Sequence, residues 1–272
     1  MSSLPPSPAT EAASPPKRRA RICAITSGKG GVGKTFLSAN LAAALARQGE
    51  RVLVLDADLG LANLDVVLNL FPKITLHDVF TGKAQLEQAI LPAPGGFSVL
   101  LAGSGLVEYS RLTPEVREQL QHIIDTVAPR FDRILIDTGA GISEVVLYAV
   151  SLADEVVVVA TPEPTSLTDA YATIKVLATQ QQRSAISLVV NQVSRSGEGR
   201  AIRGQLQLVV DRFVTPALTD PSVTFKLELL GEIPSDTAVR MAIQKRQLLL
   251  EVLPGSAAAK GVMAVAAKMI GG

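Results

Sequence analysis

Residues 28–35 read Gly28-Lys29-Gly30-Gly31-Val32-Gly33-Lys34-Thr35, set between an apolar stretch and a helical one. Three glycines close together let the backbone turn tightly and aim successive N–H groups at one point, and a helix opening at Lys34 adds its positive dipole end. Such a loop suits a chain of phosphates. Lys34 is the expected partner of the β- and γ-phosphates, and Thr35 offers a hydroxyl to a Mg2+ bridging them. Lys29 is the unusual residue. A phosphate loop of the ordinary kind has no cation there, so Lys29 is either a solvated lysine in a glycine turn or a second phosphate-seeking charge.

The loop also constrains the fold, because its geometry needs a strand before it and a helix after it. Residues 21–27 supply the strand, and the helix is expected from about 34 to 48, closing at Gly49. The apolar run 51–55 then completes a βαβ unit whose second strand is buried on both faces. A loop over 56–63 and a short helix over 65–70, stopped by Pro72, come next. Further strands are expected at 97–101, at 134–136 ending on Asp137, and at 154–160, 186–191 and 227–233. Helices are expected at 113–128, 165–180, up to about 213, 235–246 and 256–270, with 194–203 as a polar surface connection. Alternation of this kind specifies an α/β fold: a doubly wound, mostly parallel sheet of the P-loop NTPase type with helices on both faces. The expected organisation is a disordered tail over 1–20, one domain over 21–255 and a C-terminal helix over 256–272.

Composition excludes several classes. A net charge of +1 in 272 residues gives no basic field that would mark nucleic acid as the direct target. One cysteine, Cys23, allows neither a disulfide within the chain nor a CxxC metal site. No apolar run reaches the roughly 18 residues that cross a bilayer. Residues 1–20 are rich in Pro, Ser and Ala, lack an apolar core and end in basic residues, which reads as a tail and not a signal peptide. The expected compartment is the cytoplasm.

In a doubly wound sheet, Ser27, Asp56 and Asp137 fall at the carboxyl ends of strands, where their loops converge on one crevice. Asp137 is placed to hold Mg2+, directly or through water; the alternative is a helix cap. Asp56 and Asp58 are two residues apart at the end of an apolar strand. Asp58 suits water positioning and Asp56 the metal or the loop, unless the pair is a solvated acidic turn. Asn191 follows an apolar strand, where an amide reads both edges of adenine or merely forms a turn. His77 and His122 have no ligand-like spacing.

With GKGGVGKT at 28–35, DADLGLANLDV at 56–66 and DTGAGIS at 137–143, the chain resembles the MinD/ParA family of deviant Walker-A ATPases over about residues 21–250. GLANLDV, DTGAGIS and AGSG at 102–105 look most like its FlhG (FleN) group of flagellar number regulators. The resemblance implies ATP and Mg2+ as cofactors and a homodimer formed around ATP. It makes Lys29 the lysine that reaches the partner's nucleotide, with Gly28 to Thr35 as the phosphate site. Thr35, Asp56 and Asp137 become the magnesium shell, and Asp58 holds the attacking water. Asn191, Pro234 and Asp236 match adenine contacts, and Glu163 matches a position at the dimer face. An in-trans cation is physically sensible, because phosphoryl transfer is accelerated mainly by charge stabilisation.

Two departures from the group stand out. Residues 1–20 contain neither the Gln nor the Arg-Leu pair of the motif that stimulates a partner GTPase. The terminal helix places Val262, Val265, Ala266, Met269 and Ile270 on one face, which suits either a membrane surface or the body of the protein. The function expected from the resemblance is a slow ATPase switch controlling flagellar number or placement. It would act by restraining a flagellar transcription activator or a partner GTPase, in the cytoplasm, at the inner membrane face or at a cell pole. The competing expectations are division-site selection, partitioning of DNA or cargo, and a non-enzymatic ATP-gated anti-activator.

Overall fold

The computed structural model of the chain describes residues 19–59, 63–103, 112–220, 222 and 224–271. Of the expected N-terminal tail only Arg19 and Ala20 fall within it. Residues 60–62 of the acidic loop and residues 104 and 105 of the AGSG segment lie outside the described residues.

Eight strands form one sheet: β1 (Arg21–Ser27), β2 (Val52–Ala57), β3 (Ile90–Pro92), β4 (Ser98–Leu100), β5 (Arg133–Ala140), β6 (Glu155–Ala160), β7 (Ala185–Val193) and β8 (Lys226–Pro234). Their spatial order is β3-β4-β2-β5-β1-β6-β7-β8, and every neighbouring pair except β3–β4 is parallel. The helices are α1 (Lys34–Arg47), α2 (Leu64–Leu68), α3 (Leu76–Phe80), α4 (Leu86–Ala89), α5 (Pro114–Val127), α6 (Glu144–Ser151), α7 (Pro164–Gln180), α8 (Glu198–Phe213), α9 (Thr237–Lys245), α10 (Leu249–Val252) and α11 (Ala257–Gly271). Helices α1, α2, α9, α10 and α11 cover one face of the sheet and α3 to α8 the other, as the expected doubly wound fold requires. Alternate strand residues serve the two cores: Ile22 and Ala24 point to one, Cys23 and Ile25 to the other. That double burial is why the strands read as unbroken apolar runs.

Helices α3, α4, α6 and α10 are absent from the sequence expectation, and three further differences each have a tertiary reason. The Pro92-to-Gly96 cluster is a hairpin turn, closed by Ala93 N–H donating to the Phe97 carbonyl, and it therefore needs the preceding strand β3, which the sequence reading omitted. Strand β5 does not end on Asp137. It continues to Ala140 because β1 and β2 flank it and pair with Ala140 and Thr138. The connection at 194–203 is mostly helix, since α8 opens at Glu198. The Glu232 carboxylate accepts from the N–H groups of Gly197 and Gly199, and the Glu198 carboxylate accepts from Ser194 N–H.

Helix α11 packs on α1 and β8. Val262, Val265, Ala266 and Met269 of its apolar face are buried in the core, while Ile270 remains exposed. The approach is close: a Cβ on Gly261 would stand 3.0 Å from the Glu232 carbonyl. At the far end Arg133, 1% exposed, donates to the Met269 carbonyl at 2.9 Å and pairs with Glu50 at 2.8 Å. A cation at the carboxyl end of α11 complements its dipole. No helix among the described residues is long and apolar enough to cross a membrane.

Candidate functional site

The glycine-rich loop links β1 to α1, and its backbone could not be built from other residues. Gly33 has φ +94°, and a Cβ there would lie 2.5 Å from Asn191 Nδ2; a Cβ on Gly28 would run into the backbone of Asp169 on α7. Gly33 is also the N-cap of α1, and no side chain caps that terminus, so the amides of the first turn face the crevice. Uncapped helix N–H groups beside a turn of inward-facing amides form a phosphate cradle.

Lys34 lies in the cradle, 8% exposed, and its Nζ donates to Ser27 Oγ at 2.9 Å. Ser27 Oγ in turn donates to the Lys29 carbonyl at 2.7 Å. Burial pushes the Lys34 ammonium below its ordinary pKa, while Asp137 and Asp58 pull it back. A buried cation bonded only to a hydroxyl among the described residues is matched to an anion.

Asp56 and Asp137 stand side by side in the β2–β5 register, each 1% exposed. Burial raises the Asp137 carboxyl to about 6, against hydrogen bonds from Thr35 and Ser38 and the charge of Lys34 that favour ionisation. Asp56 is raised well above the carboxylate range by burial and by Asp137 beside it. Its Oδ1 accepts from Asp58 N–H at 3.1 Å, and its Oδ2 has no hydrogen-bond partner among the described residues. Two adjacent buried carboxylates, one with an orphaned oxygen, next to a threonine hydroxyl fit a divalent cation of the magnesium type, which takes oxygen ligands. The residues thus fit the metal that the loop implies. Asp58 sits across from Gly139, within van der Waals reach of it. Residues from the loop, the end of β2, the end of β5 and α6 together line a cavity of about 740 Å3. The three segments singled out in the sequence therefore meet in one crevice.

Lys29 is not part of that wall. Its Nζ reaches to the start of α7, donating to Glu163 Oε2 at 2.8 Å and to Thr165 Oγ1 at 3.0 Å, at an exposed position. Glu163 is the N-cap of α7. The two lysines of the loop thus point in different directions, one into the crevice and one along the surface.

A second cavity, about 370 Å3, adjoins the loop and is lined by Phe36, Asn191, Pro234, Asp236, Val239 and Arg240 among others. Asn191, Pro234 and Asp236 are brought together there, but two of the three have their polar atoms engaged with the chain itself. Asn191 lies inside β7 and not after it; its Nδ2 donates to the Val32 carbonyl at 2.8 Å and its Oδ1 accepts from Gln192 N–H. Asp236 caps α9 and the start of α11, accepting from Ala238 and Ala258 N–H, and those backbone bonds hold its carboxyl below the usual range. Sequence reasoning placed Ser27 at the crevice without giving it a role, and missed Ser38 as a site residue and Phe36 and Arg240 as cavity walls. For Ser38 a signal existed: a hydroxyl one turn after Lys34 in a helix whose other residues beyond the loop are mostly apolar.

A glycine-rich cradle, a buried lysine and paired carboxylates at the carboxyl end of a doubly wound sheet define a P-loop nucleotide-binding protein. Residues 20–190 match the family model described as an AAA domain. The chain is 41% identical to the antiactivator FleN of Pseudomonas aeruginosa over 249 residues, covering 92% of this chain and 86% of that protein. It is 32% identical to the flagellum site-determining protein YlxH of Helicobacter pylori, over 93% and 83% of the two chains. Among solved structures, the cell division ATPase MinD of Pyrococcus furiosus superposes with a TM-score of 0.75 at 29% identity, over 93% of this chain and 99% of that one. MinD of Pyrococcus horikoshii, solved with Mg-ADP, gives 0.73 at 29% identity, over 92% and 96%. The chain belongs to the MinD/ParA family of ATP-binding P-loop proteins and is a homologue of the FleN and YlxH flagellar regulators.

Proposed function

We propose that this chain is a Mg2+-dependent ATPase that dimerises around ATP and serves as a switch on flagellar number or placement. The observation that carries the reading is the division of labour in the loop: Lys34 is buried in its own cradle, and Lys29 is held outside it at the surface. A cation held outside its own crevice supports a role in the crevice of a second copy. Lys34 and the loop amides bind the phosphates, and Asp58 orients the water that attacks the γ-phosphorus. Thr35, Asp56 and Asp137 would hold Mg2+, which supplies neutralisation of phosphate charge when bound. The neighbouring cavity takes the base through its apolar walls and the Pro234 segment. Hydrolysis yields ADP and phosphate, removes the γ-phosphate contacts and frees the two copies.

The downstream role rests on kinship: the relatives carry the names antiactivator and flagellum site-determining protein. A flagellar transcription activator is accordingly the partner we propose. The ATP-loaded dimer would bind it, in the cytoplasm or at a cell pole. Asp58→Ala separates switch from chemistry. With Mg2+ and ATP it should stay a dimer in light scattering while wild type returns to monomer as ATP is spent; a variant that remains monomeric contradicts the dimer switch.

A further inference from the structure

Ser38 is a fully buried hydroxyl in a helix that gains nothing from one by packing. Alanine occupies the neighbouring buried positions Ala39, Ala42, Ala43 and Ala44 of α1, and serine forms helix less readily than alanine. Its Oγ lies 3.0 Å from the Lys34 carbonyl and 2.8 Å from Asp137 Oδ1. The carbonyl contact is the local back-bond of a helical serine. The carboxylate contact is different in kind, since it joins α1 to the middle of β5 across the crevice floor. A hydroxyl has a single proton, and an ionised carboxylate is the stronger acceptor.

Thr35, one turn earlier on the same face, also turns its hydroxyl toward Asp137 and favours the ionised carboxyl. Two hydroxyls therefore share one carboxylate, and the reading above gives one of them to the metal. We propose that Ser38 is a positioning residue for magnesium: it fixes the Asp137 carboxylate from below, so that the Thr35 hydroxyl is free to serve the metal. The inference rests on the ATPase reading. It adds a residue that touches neither nucleotide nor metal.

The test is a Mg2+ titration of binding to a non-hydrolysable ATP analogue, with the same analogue measured in EDTA. Ser38→Ala should raise the half-saturating Mg2+ concentration about tenfold, the lower end for loss of an outer-shell partner, and leave the affinity in EDTA unchanged. In an Asp137→Asn background the same substitution should add nothing to the Mg2+ dependence, because the bond it removes acts through that carboxylate. An unaltered Mg2+ dependence, an equal loss with and without Mg2+, or a Ser38→Ala chain that fails to fold would each show Ser38 to be structural and overturn the proposal. A wild-type chain that binds the analogue no better with Mg2+ than in EDTA would instead overturn the ATPase reading beneath it.

Discussion

Replacing Lys29 by alanine tests the division of labour most directly, because the structure predicts a small effect on stability and a large one on turnover. The Lys29–Glu163 pair is 2.8 Å long, but its side chains are 38% and 63% exposed. Solvent screens such a pair to about 0–1 kcal/mol, and the bond to Thr165 is equally exposed. For a chain of this size a loss of that order lowers Tm by about 2–4 °C at most. Nucleotide binding by the single chain should persist, since Lys29 does not line the cradle cavity. Lys34→Ala, which removes the buried cation, should abolish it. Turnover is another matter. Arginine fingers supplied in trans are worth 10³–10⁵ in kcat, and a lysine, a point charge without the planar fork, belongs near the lower end, about 10³. The assay is steady-state ATP hydrolysis across protein concentrations, with melting curves and nucleotide binding measured on the same preparations. A Lys29→Ala protein that turns over ATP like wild type, or one that no longer binds nucleotide as a monomer, would refute the reasoning.

Two further outcomes follow from buried charge. Asp137, raised by burial from the ordinary carboxyl value of 3.8 to about 6, holds its proton in the fold over a range where the unfolded chain has lost it. The metal-free protein should therefore lose stability as pH rises from about 4 to about 6, and stay lower above that range. At ~1.4 kcal/mol for each tenfold in proton affinity, the contribution is about 3 kcal/mol. Asp137→Asn removes it, so the stability of the variant relative to wild type, from denaturant melts without Mg2+, should rise across that window; a difference flat with pH would contradict the burial argument. Arg133→Met should cut the tie between β5 and the end of α11. Glu50 keeps partial access to water, so the loss should fall near the low end for a broken buried pair, about 3 kcal/mol, with nucleotide affinity unchanged; equal stability in thermal melts would show that the apolar face alone holds α11.

The phosphate loop was legible because its residue types are demanded by backbone geometry, and its flanks because strands buried on both faces must be apolar throughout. Helix α1 was expected over 34–48 and spans Lys34–Arg47. What failed was whatever depends on a neighbour. Thr138, Gly139 and Ala140 look like a loop, yet β1 and β2 keep them in the sheet. Strand β3 is three residues long and exists only as the partner of β4. Asn191 and Asp236 fell beside the expected cavity, but their bonding to Val32 and to the first turns of α9 and α11 is a matter of side-chain reach, which spacing does not carry. The apolar face of α11 was equally opaque: periodicity shows that a helix has a greasy side and not what lies against it.

The contrast between the two lysines also bears on why such a loop would act as a switch. Gly28 is pressed on the α7 backbone at Asp169, and Lys34 begins α1, so both ends of the loop are fixed to rigid helices. Between those anchors Lys34 is buried and bonded to Ser27, a placement that does not exchange without opening the crevice. Lys29 is held instead by an exposed carboxylate and an exposed hydroxyl, bonds weak enough in water to be traded. A stronger anion delivered by a second copy, a phosphate chain enclosed at the interface where screening falls away, would win that trade. Spending the γ-phosphate would weaken the competing site and return Lys29 to Glu163. Had Lys29 been buried with its carboxylate, breaking the pair would cost several kcal/mol and the loop would be locked; its exposure is what would make such a change of partner reversible.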